Sequence, residues 1–428
     1  MEMKFSEDNG AKSKMRQNEL AMNGGSKAVS EQLPNRFHFG KEEKEAIDAL
    51  FHEAMETGQA PGYNGSREAA FCQEFAAELG GGYVDGTNSG TTSVFVALKA
   101  LDLPPLSEVI VGCITDPGGV MPVVCNDCIP IPADAKPGTF APGPEEIAAR
   151  ITERTSAIVI AHIFGDPTDV PGIMKVAAKY NLPVVEDCAQ AHLTYVAGQR
   201  AGTLGTISAF SLMFGKHICA GGQGGAVFTK EEPMSWKVRQ SADRGKPFGV
   251  PGGSNLFPSL NFNMDEIHAT IASVQLKKLH GIVQKRRQGL QWLYEHGGKK
   301  LQGVSLPQVS FPKGWESSLW FVRLHFNAEN MNCTRDEYMK ALNAEGVSCD
   351  AYYAGFPFSQ QWYVNRASTF PWTCSDYKGD PKAEYPCPNI RKTLDSEIKI
   401  SLFESYGQKE LGMILKALQK LDEAYRKR

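Results

Sequence analysis

The sequence predicts an α/β fold, a mainly parallel β-sheet with helices on both faces. Three observations carry that expectation. Short apolar runs rich in β-branched residues recur at 109–114, 157–164, 184–187, 207–212 and 226–229. Helical patterns such as 170–180 separate several of these runs, and strands that alternate with helices pair in parallel. The chain has 428 residues, 42% hydrophobic and 22% charged, enough to bury the cores of two or three domains.

The elements follow in order. The first 34 residues are polar and rich in Lys, Asn, Ser and Gly, which marks residues 1–39 as an N-terminal arm. Phe71, Phe75 and Leu79 fall at i, i+4, i+8 and predict an amphipathic helix. Gly86-Thr87-Asn88-Ser89-Gly90-Thr91-Thr92 reads as a polar turn that opens a helix over 94–101. A long helix over 265–296, with Ile267, Ile271, Val274 and Leu279 toward one side, links a large domain (40–285) to a small C-terminal one (286–428). The small domain reads as strands over 304–326, a helix over 335–345, an aromatic- and proline-rich loop over 352–387, and a terminal helix. The apolar face of that last helix is Leu411, Ile414, Leu415, Leu418 and Leu421. No internal repeat is present.

Charge and composition exclude several classes. Lys+Arg 45 against Asp+Glu 48 gives a net charge of −3, with no basic stripe suited to nucleic acid. No apolar stretch is long enough for a membrane span, and no leader pattern points to export. Ten scattered cysteines, mostly in apolar runs, fit reduced thiols in the cytoplasm. Cys125 and Cys128 form one Cys-x-x-Cys pair, but no second pair accompanies it, so no metal site is expected.

Three segments carry chemistry. Gly90-Thr91-Thr92 opens a helix, where free backbone amides and the positive dipole end bind phosphate; an ordinary helix cap has the same composition. Asp187 follows Val184-Val185 and precedes Cys188-Ala189, so its carboxylate is expected to be buried and to need a partner; a hydrogen-bonded acid at a strand end is the plainer alternative. Lys216 follows the apolar 210–214 run and precedes a turn with four glycines (Gly221, Gly222, Gly224, Gly225), which sets it apart from a surface lysine. Ser211 stands five positions before it, and His217 is expected to point away. An anion turn, then an acid, then a lysine suit pyridoxal phosphate (PLP): the amine forms a Schiff base and the acid partners the pyridinium nitrogen. Neither a Walker pattern nor a Gly-x-Gly-x-x-Gly between strand and helix is present, which disfavours a P-loop enzyme and a nicotinamide dehydrogenase.

From about Gly40 onward the chain resembles the DegT/StrS family of sugar aminotransferases, a branch of the fold type I PLP enzymes. The resemblance rests on Asn88-Ser89-Gly90-Thr91-Thr92, His162-Ile163-Phe164-Gly165, Glu186-Asp187-Cys188-Ala189-Gln190-Ala191-His192, Phe210-Ser211 through Lys216, Gly222-Gln223-Gly224-Gly225-Ala226 and Asn261-Phe262-Asn263-Met264. It implies a seven-stranded-type sheet in the large domain and a smaller α+β domain. It implies that Lys216 holds the cofactor covalently, that Asp187 pairs with the ring nitrogen and that Gln190 lies beside the ring. Gly90, Thr91, Thr92 and Ser211 would hold the phosphate, and Asn261 would reach the phosphate of the other subunit of a homodimer. Candidate substrate contacts are Asp116, His162 and Tyr353. The implied reaction moves an amino group from Glu or Gln to a keto-sugar or keto-cyclitol. A PLP-dependent dehydratase or epimerase and a non-catalytic PLP-fold regulator are the rivals, separable by a requirement for an amino donor. The chain departs from the family twice: Asp116 stands where the relatives place a stacking aromatic, and Asn263 where they place an arginine.

Overall fold

The computed structural model describes residues 17–307, 311–351 and 357–427. Among these, β1 (Tyr83–Thr87), β2 (Glu108–Gly112), β3 (Ile129–Ala133), β4 (Thr155–Ala161), β5 (Val184–Asp187), β6 (Ile207–Ser211) and β7 (Gly225–Thr229) form one sheet in the order β1-β7-β6-β5-β4-β2-β3. The pairs β2–β3, β2–β4, β4–β5 and β5–β6 are parallel, while β7 runs antiparallel to both β1 and β6. Strands β2 to β7 are buried along almost their whole length, as a sheet covered on both faces requires. The cover comes from α1 (Lys41–Thr57), α2 (Ser66–Glu78), α3 (Gly90–Ala100), α4 (Pro117–Cys125), α5 (Pro144–Ala148), α6 (Val170–Lys179), α7 (Glu232–Ala242) and the 30-residue α8 (Glu266–Glu295).

Two strands of this sheet lie outside the sequence expectation. β3 reads Ile-Pro-Ile-Pro-Ala, and its prolines argue against a strand; it occupies the sheet edge, where a missing N–H costs no ladder bond. β1 contains Gly86, which had placed it in the turn preceding α3.

α8 bridges the two domains. Leu279, Ile282 and Val283 pack into the large-domain core, and Leu290 and Leu293 into a separate core with the C-terminal elements. Its buried face at the start is Ala269, Ala272, Gln275 and Leu276. Ile267, Ile271 and Val274 are only half-buried, so the inward face is rotated from the expected one. The small domain contains β8 (Val304–Ser305), β9 (Val322–Phe326), β10 (Cys349–Asp350) and β11 (Glu397–Ile400) in the antiparallel order β8-β9-β11-β10. Its helices include α9 (Arg335–Ala344) and α12 (Gln408–Tyr425), and between them along the chain come α10 (Gln361–Val364) and α11 (Pro388–Ser396). All five predicted apolar residues of α12 are buried.

Two expectations about domain organisation need correction. Within the described part of the arm, Leu20, Ala28 and Val29 are buried in the small-domain core. The Val29 N–H donates to Glu345 O at 3.0 Å, so this stretch is an integral part of the fold. The 352–387 loop was placed in the small domain, yet Phe358, Tyr363, Trp372, Tyr377 and Cys387 join the large-domain core. Aromatic rings carried on short helical turns and loops still bury their area against whichever apolar surface is near.

Candidate active site

The parallel strands end along one edge of the sheet, and ligand sites of such sheets lie beyond the carboxyl ends of the strands. Asp187 closes β5, in register with Ala161 of β4 and Ala209 of β6; Ser211 closes β6; Asp116 follows β2 by a short loop. Together with the first turn of α3 they surround a cavity of about 200 Å³. Its walls include Gly90, Thr91, Asp116, His162, Asp187, Gln190, Ser211 and Lys216.

The α3 end is organised by a capping box. Ser89 Oγ accepts the Thr92 N–H at 3.2 Å, and Thr92 Oγ1 accepts the Ser89 N–H at 3.1 Å. The Gly90 and Thr91 amides are left outside the helix ladder at its positive end, beside the cavity. Gly90 is required here: a Cβ would stand 2.5 Å from Ser211 Cβ, so only glycine lets α3 and β6 approach this closely. Thr92 itself serves the cap and does not line the cavity.

Asp187 is 6% exposed and accepts the Ala189 N–H at 2.9 Å. Burial pushes its carboxyl above the ordinary value, against the Ala189 hydrogen bond and the nearby Lys216 charge. Lys216 is 7% exposed. It lies in a turn five residues past β6, where its N–H donates to Met213 O at 2.9 Å. Burial lowers its amine to about 8, against the pull of Asp187 and Asp116. Its Nζ stands 3.9 Å from the centroid of the Trp320 ring, a contact with no signal in the sequence. Thr115, Ala189, Met213 and Gln223 also line the cavity and had no assigned role.

Asp116 is the N-cap of α4, with Oδ1 accepting the Gly118 N–H at 2.9 Å. A Cβ on Gly119 would meet Asp187 Oδ2 at 2.9 Å, so that glycine lets α4 start directly against the buried acid. His162 is wholly buried. Its Nδ1 accepts the Thr168 N–H at 3.1 Å, which leaves Nε2–H to donate to Glu186 Oε2 at 3.1 Å. Both ring nitrogens are thus occupied, and the ring meets the cavity through van der Waals contact only. Gln190 Oε1 accepts the Phe164 N–H at 2.7 Å, fixing its side chain at the wall. Asn261 is exposed, bridges to Asp243 and accepts the Asn263 side-chain N–H at 2.7 Å; it does not line this cavity. Tyr353 lies outside the described residues. His217 is buried with Nε2 on Ser318 O at 3.0 Å, pointing away from the cavity wall as expected.

A helix N-terminus, a buried acid and a buried lysine of lowered pKa around one cavity are groups that could hold an anionic, amine-reactive cofactor. The model of the DegT/DnrJ/EryC1/StrS aminotransferase family matches residues 41–376. The chain belongs to this family. It is an aminotransferase of a PLP-dependent family. It is 32% identical over 360 residues to the UDP-N-acetyl-3-dehydro-alpha-D-glucosamine 3-aminotransferase of Acidithiobacillus ferrooxidans, covering 83% of this chain and 89% of that protein. It is 29% identical over 349 residues to the L-glutamine:2-deoxy-scyllo-inosose aminotransferase of Micromonospora echinospora, covering 79% and 82%. Among solved structures it is similar to an aminotransferase from Psychrobacter cryohalolentis, with a TM-score of 0.78, 25% identity, and 90% and 98% of the two chains covered. It shares its fold with NtdA from Bacillus subtilis, solved with bound PMP, at a TM-score of 0.75 and 23% identity, covering 91% and 85%. No helix among the described residues is long and apolar enough to cross a membrane.

Proposed function

We propose that this aminotransferase moves an amino group from glutamate or glutamine to a keto-sugar or keto-cyclitol, with PLP held in the described cavity and joined to Lys216. The observation that carries the reading is the placement of a buried, lowered-pKa lysine and a buried acid in the walls of one cavity, with the start of α3 beside them. PLP, when bound, supplies an aldehyde that condenses with amines and a protonated ring that draws off an electron pair. The chain's own residues do the rest. The Gly90 and Thr91 amides, with the hydroxyls of Thr91 and Ser211, hold the phosphate, while Thr92 acts through the cap. Asp187 accepts from the ring N–H; that cation would return its carboxyl to the ionised form that burial disfavours. Gln190 fixes the ring edge. Lys216 Nζ, once displaced by the donor amine, would take the proton from the donor α-carbon and pass it to the carbon that was the cofactor aldehyde, with the reverse transfer for the acceptor, a role suited to an amine that is largely neutral above pH 8.

The acceptor class is supported by the relatives, whose names specify a dehydro-sugar and an inosose, and the donor by the glutamine of the second. Asp116 at the cavity suits hydroxyl-rich acceptors, which donate hydrogen bonds to a carboxylate. We further read the enzyme as a cytoplasmic homodimer: its ten cysteines are unpaired, and Asn261 is exposed and outside the cavity it is expected to serve. The purified protein with PLP, glutamate or glutamine and a panel of keto-sugars and keto-cyclitols is expected to give an aminated product by mass spectrometry. K216A is expected to lose that activity by at least about a thousandfold, since nucleophile and proton carrier go together. Wild-type transfer by K216A would remove the lysine from the mechanism.

A further inference from the structure

The turn that carries Lys216 is held by groups far from it in sequence. Arg36, 180 residues upstream, donates Nη1–H to Lys216 O at 2.7 Å and Gly215 O at 3.4 Å, and Nη2–H to His217 O at 3.0 Å. Trp320 Nε1–H donates to Gly215 O at 2.9 Å from the small domain. One carboxylate organises both grips. Glu404 Oε1 accepts from Arg36 Nε at 3.0 Å and faces His38 Nε2 at 3.3 Å. Its Oε2 accepts from Arg286 Nε at 2.9 Å, and Arg286 Nη1–H donates to Leu319 O at 3.0 Å and Trp320 O at 2.9 Å. Burial pushes the Glu404 carboxyl up, but its His38 hydrogen bond and the two guanidinium charges hold it well below the usual carboxylate range. Burial lowers Arg36 to about 10, which still leaves it charged at neutral pH. The pair is therefore ionised at neutral pH.

We propose that Arg36, oriented by Glu404, is a positioning residue for Lys216. The proposal rests on the reading of Lys216 as the cofactor-bound lysine. The turn contains Gly215 and runs into a glycine-rich stretch, so its own sequence does little to restrain it. Three carbonyls bound to one planar guanidinium fix the peptide planes on both sides of the lysine. The lysine amine would be released in the first half of a transamination and recaptured at the end of the second, and the clamp makes it return to the same place. The Trp320 ring face, 3.9 Å from Nζ, gives the released amine a resting position. The described arm thereby contributes to catalysis without touching the cofactor cavity.

The test compares wild type, R36A and R36K. In R36A the single-turnover rate with the amino donor is expected to fall about 10- to 100-fold, the scale of a small misplacement of a reacting group, with the donor KM within about threefold. R36K is expected to recover part of the loss, because an ammonium reproduces the charge but not the fork. Arg36 and Glu404 line a surface cavity of about 450 Å³, so guanidinium added to R36A is expected to restore rate in a saturable way. A readout independent of activity is deuterium uptake by residues 213–219 in the cofactor-free chain, expected to rise about tenfold or more in R36A. Wild-type turnover together with wild-type uptake in R36A overturns the proposal. If R36A does not fold, R36K decides: a reduced kcat supports the clamp, and a wild-type kcat overturns it. Activity of K216A would instead sink the reading of the lysine, leaving the deuterium result to speak for the clamp alone.

Discussion

At Lys216 two opposed effects set the protonation of one amine. Burial favours the neutral form, and the carboxylates of Asp187 and Asp116 favour the charged one. Burial wins, and the amine titrates at about 8, below the 10.5 of a free lysine. The neutral nucleophile is therefore present above pH 8 and lost as pH falls through it. Acetylation of Lys216 in the cofactor-free chain, followed by mass spectrometry, is expected to rise with a midpoint near pH 8. D116N removes a group that raises this pKa, so the midpoint is expected to move to lower pH. An unmoved or more alkaline midpoint would show that Asp116 does not act on the amine. Asp116 also caps α4, and D116N keeps an oxygen able to accept the Gly118 N–H, which separates charge from capping.

Among the elements, the start of α3 carries the sharpest prediction. Gly90 packs where a Cβ would lie 2.5 Å from Ser211 Cβ and 3.1 Å from Ser211 Cα, on a buried strand end that cannot yield. G90A is expected to raise the Kd for PLP about tenfold or more by forcing the amide-bearing turn off β6, while alanine leaves helix propensity intact. Equilibrium dialysis measures it, and wild-type affinity in G90A would end the cradle argument. What the sequence made legible follows from the range of the interactions. Periodic helices such as α2 and α12, and the order of the glycine-threonine turn at 90–92, Asp187 and Lys216, are sequence patterns and could be read. The prolines of β3 hid an edge strand, because edge position is a property of the whole sheet. The rotated face of α8 reflects small residues, Ala269 and Ala272, buried in preference to larger ones. Arg36 and Trp320 reach Lys216 across 180 and about 100 residues, and no spacing rule announces such contacts.

For the whole molecule, the cavity brings together eight of the candidate residues but not Asn261, which sits on an exposed segment bridged to Asp243. A site completed by a second subunit accounts for that separation, and symmetry makes it testable. In a twofold dimer each cavity takes Lys216 from one chain and Asn261 from the other. K216A is expected to be inactive, and N261A weakened by loss of a phosphate contact. When the two variants are unfolded together, refolded and loaded with PLP, about half of the dimers are mixed. Each mixed dimer holds one site with both substitutions and one with neither, so activity is expected to reach about one quarter of wild type plus one quarter of the N261A activity, above the average of the two parent variants. If Asn261 serves the cavity of its own chain, the mixed dimer has no additional intact site. Activity then stays at the average of the two parent variants. Size-exclusion chromatography coupled to light scattering fixes the stoichiometry in the same samples, and a monomer mass in the active fraction would rule out the shared site.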